Sequence, residues 1–182
     1  MVLVPGEFKI SRSLEKILRN GLYEVRCDTA FEQVMRACAA PRIRNKAQDS
    51  ATQNLTTESA TWIHPDMITA YCNLHELGYA HSVEVWMEGT LAGGLYGVSI
   101  GQMFYGESMF SRADNGSKIA LAHLAMQLER WRFGLIDCQM STPHLASLGA
   151  REIPRNEFIA RLQELVHCAP IPNWQFDRDL FA

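Results

Sequence analysis

From His81 to Ser108 the chain reads as three successive strands joined by tight turns, and this run limits the fold more than any other stretch. Val83, Val85 and Met87 alternate within His81 to Met87, Glu88-Gly89 has the residue types of a short turn, and Leu91 to Ile100 and Gln102 to Ser108 continue as strands. The run predicts an antiparallel meander. Repeated glycines in Leu91 to Ile100 predict a bulged strand that another part of the chain approaches closely.

A sheet needs cover, and helical spacing is present on both sides of the meander. Ser11 is placed to cap a helix through Leu18, with Leu14, Ile17 and Leu18 inward and Asn20-Gly21 as a stop. Tyr23 to Cys27 alternates like a strand, and Asp28 or Thr29 is a candidate cap for a helix from Ala30 to about Ala39, ended by Pro41. Pro65 suits the first turn of a third helix, whose stripe is Met67, Ile68, Tyr71, Leu74 and Leu77 and whose stop is Gly78. A long helix is predicted from about Asn115 to Phe133, stopped by Gly134. A buried strand, Leu135 to Gln139, a last helix, Pro154 to His167, and an irregular tail with Trp174 complete the order.

That order predicts an α+β fold with a mixed, mostly antiparallel central sheet flanked by helices. Residues 42–59 are polar and nearly without large apolar side chains, so a mobile surface loop is expected there. The expected organisation is a short N-terminal helical and strand region, 1–60, containing that loop, followed by a catalytic domain over 61–182. With 182 residues, 47% of them hydrophobic, the chain has enough apolar material for one core.

Several function classes are disfavoured at once. The formal net charge of −3 means that a nucleic-acid partner must be met by a local basic patch. Cys27, Cys38, Cys72, Cys138 and Cys168 are odd in number, scattered and never in a C-x-x-C spacing, which argues against a disulfide framework and a zinc site. His64, His75, His81, His123, His144 and His167 form no metal-binding pattern. The opening MVLVPGEFK lacks a basic region before its apolar stretch and does not read as a signal peptide, and no apolar run approaches the roughly 20 residues that span a bilayer. The expectation is a soluble, cytoplasmic protein with no membrane partner.

Glu107, set among apolar neighbours in Gly106-Glu107-Ser108-Met109-Phe110-Ser111-Arg112, falls where a strand hands over to the long helix, a junction at which ligands are often held. It reads either as a carboxylate for a cationic ligand group or as an ion-pair partner of Arg112. Asp137 and Gln139, at i and i+2 of a short strand, are expected on one face, with Cys138 on the other. Asp137 reads either as a cap for a neighbouring turn or as a group that handles a proton from an amine, with Gln139 beside it. Cys138 reads as packing. Arg12, Lys16 and Arg19 share one helix face, which reads either as ordinary solvated surface or as a phosphate-contacting patch. Arg26 and the run Arg42, Arg44 and Lys46 are candidates to extend it.

The blocks Trp62-Ile63, Tyr71-x-x-Leu74-His75-Glu76-Leu77-Gly78-Tyr79-Ala80-His81, Gly93-Gly94-Leu95-Tyr96-Gly97-Val98, Gly106 to Ser111, Leu135 to Gln139 and His144 to Ala150 resemble, in order, those of the leucyl/phenylalanyl-tRNA–protein transferases. The resemblance implies a fold like that of the Gcn5-related N-acetyltransferases. It also implies transfer of Leu or Phe, with Met as a further donor, from aminoacyl-tRNA to proteins that begin with Arg or Lys, which marks them for degradation. By the same resemblance Asp137 and Gln139 handle the attacking amine, and Glu107 receives the acceptor's cationic side chain. Leu95, Phe104, Leu124 and Leu128 form the donor side-chain pocket, Trp62 walls the terminal adenosine, and Arg12, Lys16 and Arg19 contact tRNA.

No cofactor is implied, and a monomer is expected. The junction SRADNGSK has no pyrophosphate loop of the acyl-CoA-dependent kind, which fits an aminoacyl-tRNA donor. The family usually has a further N-terminal segment with a Phe-Pro-Trp stretch, which nothing here matches. The rival expectation is a non-catalytic protein of the same fold that binds tRNA or an N-terminal residue.

Overall fold

The computed structural model describes residues 1–40 and 61–181. The expected loop 42–59, with Arg42, Arg44 and Lys46, lies outside the described residues. The elements run β1 (Val2–Leu3), a 3-10 turn at Pro5–Glu7, α1 (Arg12–Asn20), β2 (Glu24–Cys27), α2 (Phe31–Ala39), α3 (Pro65–Glu76), β3 (Ala80–Met87), β4 (Thr90–Ile100), β5 (Met103–Ser111), α4 (Gly116–Arg130), β6 (Leu135–Asp137), α5 (Pro143–Ser147) and α6 (Arg155–Leu165).

Among the described residues one six-stranded sheet has the order β1-β6-β5-β4-β3-β2. The meander β3-β4-β5 is its centre, β5 and β6 are its parallel pair, and the other neighbours are antiparallel. The expected α+β class with a mixed sheet is therefore present. Strands from both sides of residue 60 share this sheet, since β2 pairs with β3 and β1 with β6.

Alternation along the strands feeds two cores. Val83, Val85, Leu95, Phe104 and Ile136 meet Ile119, Leu124 and Leu128 of α4 and Leu14 and Leu18 of α1. On the opposite face Leu91 and Tyr96 meet Phe31, Val34 and Met35 of α2 and Ile68 of α3, while Met103 and Leu135 meet Phe158 and Leu162 of α6. The glycine expectation has a concrete cause at Gly93, where a Cβ would stand 2.5 Å from the backbone of Gly116. β4 and the first turn of α4 therefore touch backbone to backbone.

Local signals succeeded where partners are close in sequence. The Leu14 amide donates to Ser11 Oγ at 3.3 Å, the cap expected for α1. They failed where the partner is distant. Neither Asp28 nor Thr29 caps α2, because Glu84 of β3, fully buried, reaches across to its N-terminus and accepts from the Thr29 and Ala30 amides, each at 3.1 Å. The Thr29 hydroxyl and, at 2.7 Å, the Ser82 hydroxyl complete its shell. Asp28 instead accepts from the Ser82 amide at 2.8 Å and pairs with His81 Nδ1 at 2.7 Å. α4 ends at Arg130, and the left-handed residue after it is Arg132 (φ 63°) rather than Gly134.

Two strands meet briefly and then part, and this positions the site. Along β5, the pairing with β6 covers only Met103 to Tyr105, whereas β5 itself continues to Ser111. The β4–β5 register also slips between Tyr96 and Gly97, so that Tyr96 faces Ser108 and Gly97 faces Gly106, with Glu107 the extra residue. Beyond Tyr105 and Asp137 the sheet is open.

Candidate active site

The opening between β5 and β6 is a cavity of about 520 Å³. Because it passes between parted strands, it draws side chains from both faces of the sheet. Leu95, Phe104, Met109, Leu121, Leu124 and Ile136 supply an apolar wall from the α4 side, whereas Tyr96 and the bulge residue Glu107 bring polar atoms from the α2–α3 side. Gln139, Met140, Thr142 and His144 border it on the segment after β6, and Trp62, 46% exposed, stands on its rim.

Glu107 is not paired with Arg112 among the described residues. The Arg112 guanidinium lies 5.4 Å from the centre of the Phe110 ring, and its Nη1 donates to the Leu91 carbonyl at 3.5 Å. The Glu107 carboxylate lies instead beside the Tyr71 hydroxyl, and burial together with that adjacent carboxylate pushes the phenol up to about 12. The carboxylate thus borders the cavity beside a neutral phenol, and no cation is paired with it among the described residues.

The strand geometry expected for Asp137 and Gln139 does not hold. β6 ends at Asp137, and Gln139 has left-handed backbone (φ 58°), so the two do not alternate as strand neighbours. Gln139 borders the cavity, whereas Asp137, half-buried, stands behind its border and accepts the Gln139 amide on Oδ1 at 2.9 Å. The turn-capping reading of Asp137 is therefore realised, and the cap fixes the residue that carries Gln139. Cys138 packs against the core beside the cavity, and burial pushes its thiol up to about 11, so it stays protonated at neutral pH and is no nucleophile.

Of the expected donor pocket, Leu95, Phe104 and Leu124 line the cavity. Leu128 does not. It is buried in the core one turn along α4, and Leu121 takes the wall position. Arg12, Lys16 and Arg19 are exposed on α1, with Arg19 held to Glu15 at 3.1 Å. Arg26 does not extend that face, because it pairs with Glu24 at 2.7 Å and lies 4.8 Å from the centre of the Trp86 ring. Tyr71, Tyr96 and Leu121 were legible only as members of apolar stripes, which carry no sign of whether a side chain borders core or cavity. Among the described residues no cluster of three His, Cys, Asp or Glu side chains is arranged for a metal ion, and no helix is long and apolar enough to cross a membrane.

An open mixed sheet, parted over a cavity with an apolar end, an acidic end and an amide side chain on its border, is an arrangement suited to a group-transfer enzyme. The family model described as leucyl/phenylalanyl-tRNA protein transferase matches residues 2–163, and the chain belongs to that family. Proteins named leucyl/phenylalanyl-tRNA–protein transferase from Nitrosospira multiformis and Nitrosomonas europaea are each 59% identical to it, over 98% and 97% of this chain and 72% and 70% of their own lengths. The protein of that name from Chromobacterium violaceum is 54% identical over 97% of this chain and 70% of its own.

Proposed function

We propose that this chain transfers Leu or Phe from aminoacyl-tRNA to the N-terminal amine of proteins that begin with Arg or Lys, marking them for degradation. The single observation that carries the reading is one cavity with a Leu95/Phe104/Leu121/Leu124 wall and the Glu107 carboxylate, with Gln139 on its border. The architecture is read as that of the Gcn5-related N-acetyltransferases, a reading supported by the parted parallel strands and the long helix that follows β5.

The donor's side chain occupies the apolar end, where burial of a Leu or Phe side chain is worth about 2 kcal/mol or more. Trp62 stacks on the terminal adenosine, and Arg12, Lys16 and Arg19 of α1 meet the tRNA backbone. Glu107 takes the cationic side chain of the acceptor's first residue and so sets the distance at which its α-amine meets the donor carbonyl. An α-amine has a pKa of about 8, so its neutral form costs little at neutral pH and placement dominates the rate.

In the transfer the amine nitrogen forms a bond to the aminoacyl carbonyl carbon, and the ester bond to the ribose of the terminal adenosine breaks. The proton lost by nitrogen ends on the departing ribose oxygen. Gln139 accepts a hydrogen bond from the attacking amine. Asp137 acts through Gln139, by holding its backbone amide and polarising the turn.

Transfer of labelled Leu or Phe from tRNA to an Arg-starting peptide tests the reading. Glu107→Gln should raise KM for the peptide about tenfold or more with KM for the aminoacyl-tRNA unchanged, and Asp137→Ala, which removes the acceptor for the Gln139 amide, should lower kcat about tenfold. Retention of aminoacyl-tRNA without any transferred label would identify a binding protein and overturn the reading.

A further inference from the structure

Tyr96 carries a hydroxyl that its surroundings do not use. It lies in the middle of β4 with no exposed surface, and its ring meets Tyr71 edge-on (5.4 Å between centroids, 82°) and Phe31 likewise (6.0 Å, 77°). A phenylalanine would make both contacts equally well. The hydroxyl is buried and has no hydrogen-bond partner among the described residues, an arrangement that costs stability in a folded chain and is explained when the group serves a ligand.

The ligand is indicated by position. Tyr96 lines the same cavity as Glu107, and the bulge that displaces β5 sets Tyr96 across from Ser108, next to the extra residue Glu107. Tyr71, the other phenol at this end, lies beside Glu107, and the Tyr96 hydroxyl is near Cys38, Tyr71 and Glu107 and has no hydrogen-bond partner among the described residues. Burial holds the Tyr96 phenol far above its usual range, so it is a neutral group able both to donate and to accept.

We infer that the Tyr96 hydroxyl is a specificity-determining contact of the acceptor's first residue: its oxygen accepts from a guanidinium N–H while Glu107 takes the charge, which favours Arg over Lys. This rests on the reading of Glu107 as the receptor of the acceptor's cation. A guanidinium has five N–H donors in a rigid plane, and a carboxylate satisfies two of them side by side. A third donor, carried into a water-poor end of the cavity, needs an oxygen in a different direction, which the Tyr96 hydroxyl supplies. An ammonium is a compact charge that Glu107 meets by itself, so it gains less.

The test is steady-state transfer from leucyl-tRNA to two peptides that differ only in an Arg or Lys first residue. Tyr96→Phe should raise KM for the Arg peptide about tenfold with kcat and KM for leucyl-tRNA within about twofold, and change KM for the Lys peptide less than about threefold. Its melting temperature should equal or exceed that of the unaltered chain, because an unmatched buried hydroxyl is removed. Equal KM values for the Arg peptide in the two proteins would overturn the inference, as would a loss of kcat shared by both peptides with a raised KM for leucyl-tRNA. Glu107→Gln run in parallel separates the levels. If it weakens both peptides while Tyr96→Phe changes neither, only the Tyr96 role falls; if it changes neither peptide, the reading of Glu107 falls with it.

Discussion

At the scale of single residues, ionisation separates groups that serve the site from groups that serve the fold. His123 of α4 belongs to the second kind. It lies half-buried at 3.2 Å from the Tyr23 hydroxyl with its ring edge-on to Phe181, and desolvation lowers it from 6.5 to about 4. Between these values the unfolded chain binds a proton that the folded chain refuses, so stability falls as pH drops from about 6.5 to about 4 and is unaffected by this group above that window. The full effect is about 2 to 3 kcal/mol. Urea unfolding at pH 7.5 and pH 5 should show a smaller loss for His123→Gln than for the unaltered chain. The sequence made Glu107 and Gln139 conspicuous because polar residues interrupt apolar strands there. Tyr71 and Tyr96 were hidden because an aromatic ring buries equally well whether or not its hydroxyl has work to do.

At the scale of elements, the most consequential link is the capping of α2 from β3. Four donors converge on Glu84, and two of them are amides at the helix start, so an anion is doubly suited to the position. Glu84→Gln replaces one accepting oxygen by a donor that faces other donors. It should cost about 2 to 4 kcal/mol in equilibrium unfolding while the KM for aminoacyl-tRNA stays unchanged. Such a cap was illegible in advance, since a carboxylate more than fifty positions away leaves no local signature and Asp28 and Thr29 were the only residues of capping type adjacent to the helix. The same asymmetry explains β6. Its apolar run was visible, but its end at Asp137 depends on the left-handed turn at Gln139, and the two-residue strand β1 was too short to announce itself. The first two strands of the meander, by contrast, were legible to within a residue because the turn at Glu88-Gly89 and the alternation agree, whereas the third runs three residues beyond the expected Ser108 to Ser111.

At the scale of the whole molecule, the C-terminal tail ties β3, β5 and the end of α4 together beside the cavity wall. Trp174 stacks on His81 (3.7 Å, 9°) and packs against Phe104, Trp131 and Phe133, while Arg130 of α4 holds Asp177 at 2.9 Å and Asp179 at 2.6 Å. Because Phe104 also lines the cavity, Trp174→Ala should do more than lower stability by about 3 kcal/mol. It should also raise KM for leucyl-tRNA several-fold and leave KM for the acceptor peptide unchanged, a split that initial-rate kinetics would reveal. The tail's role could not be read from sequence, where Trp174 stands in an irregular stretch without periodicity. The parted strands have one more effect, on the behaviour of the protein in a crowded solution. Among the described residues, Gly106 to Ser111 pairs with β4 but leaves its other edge open toward the cleft, and the outer strands of the sheet are β1, with two residues, and β2, with four. A neighbouring copy finds almost no ladder to extend, so fibril-like stacking is discouraged by the same gap that opens the cavity.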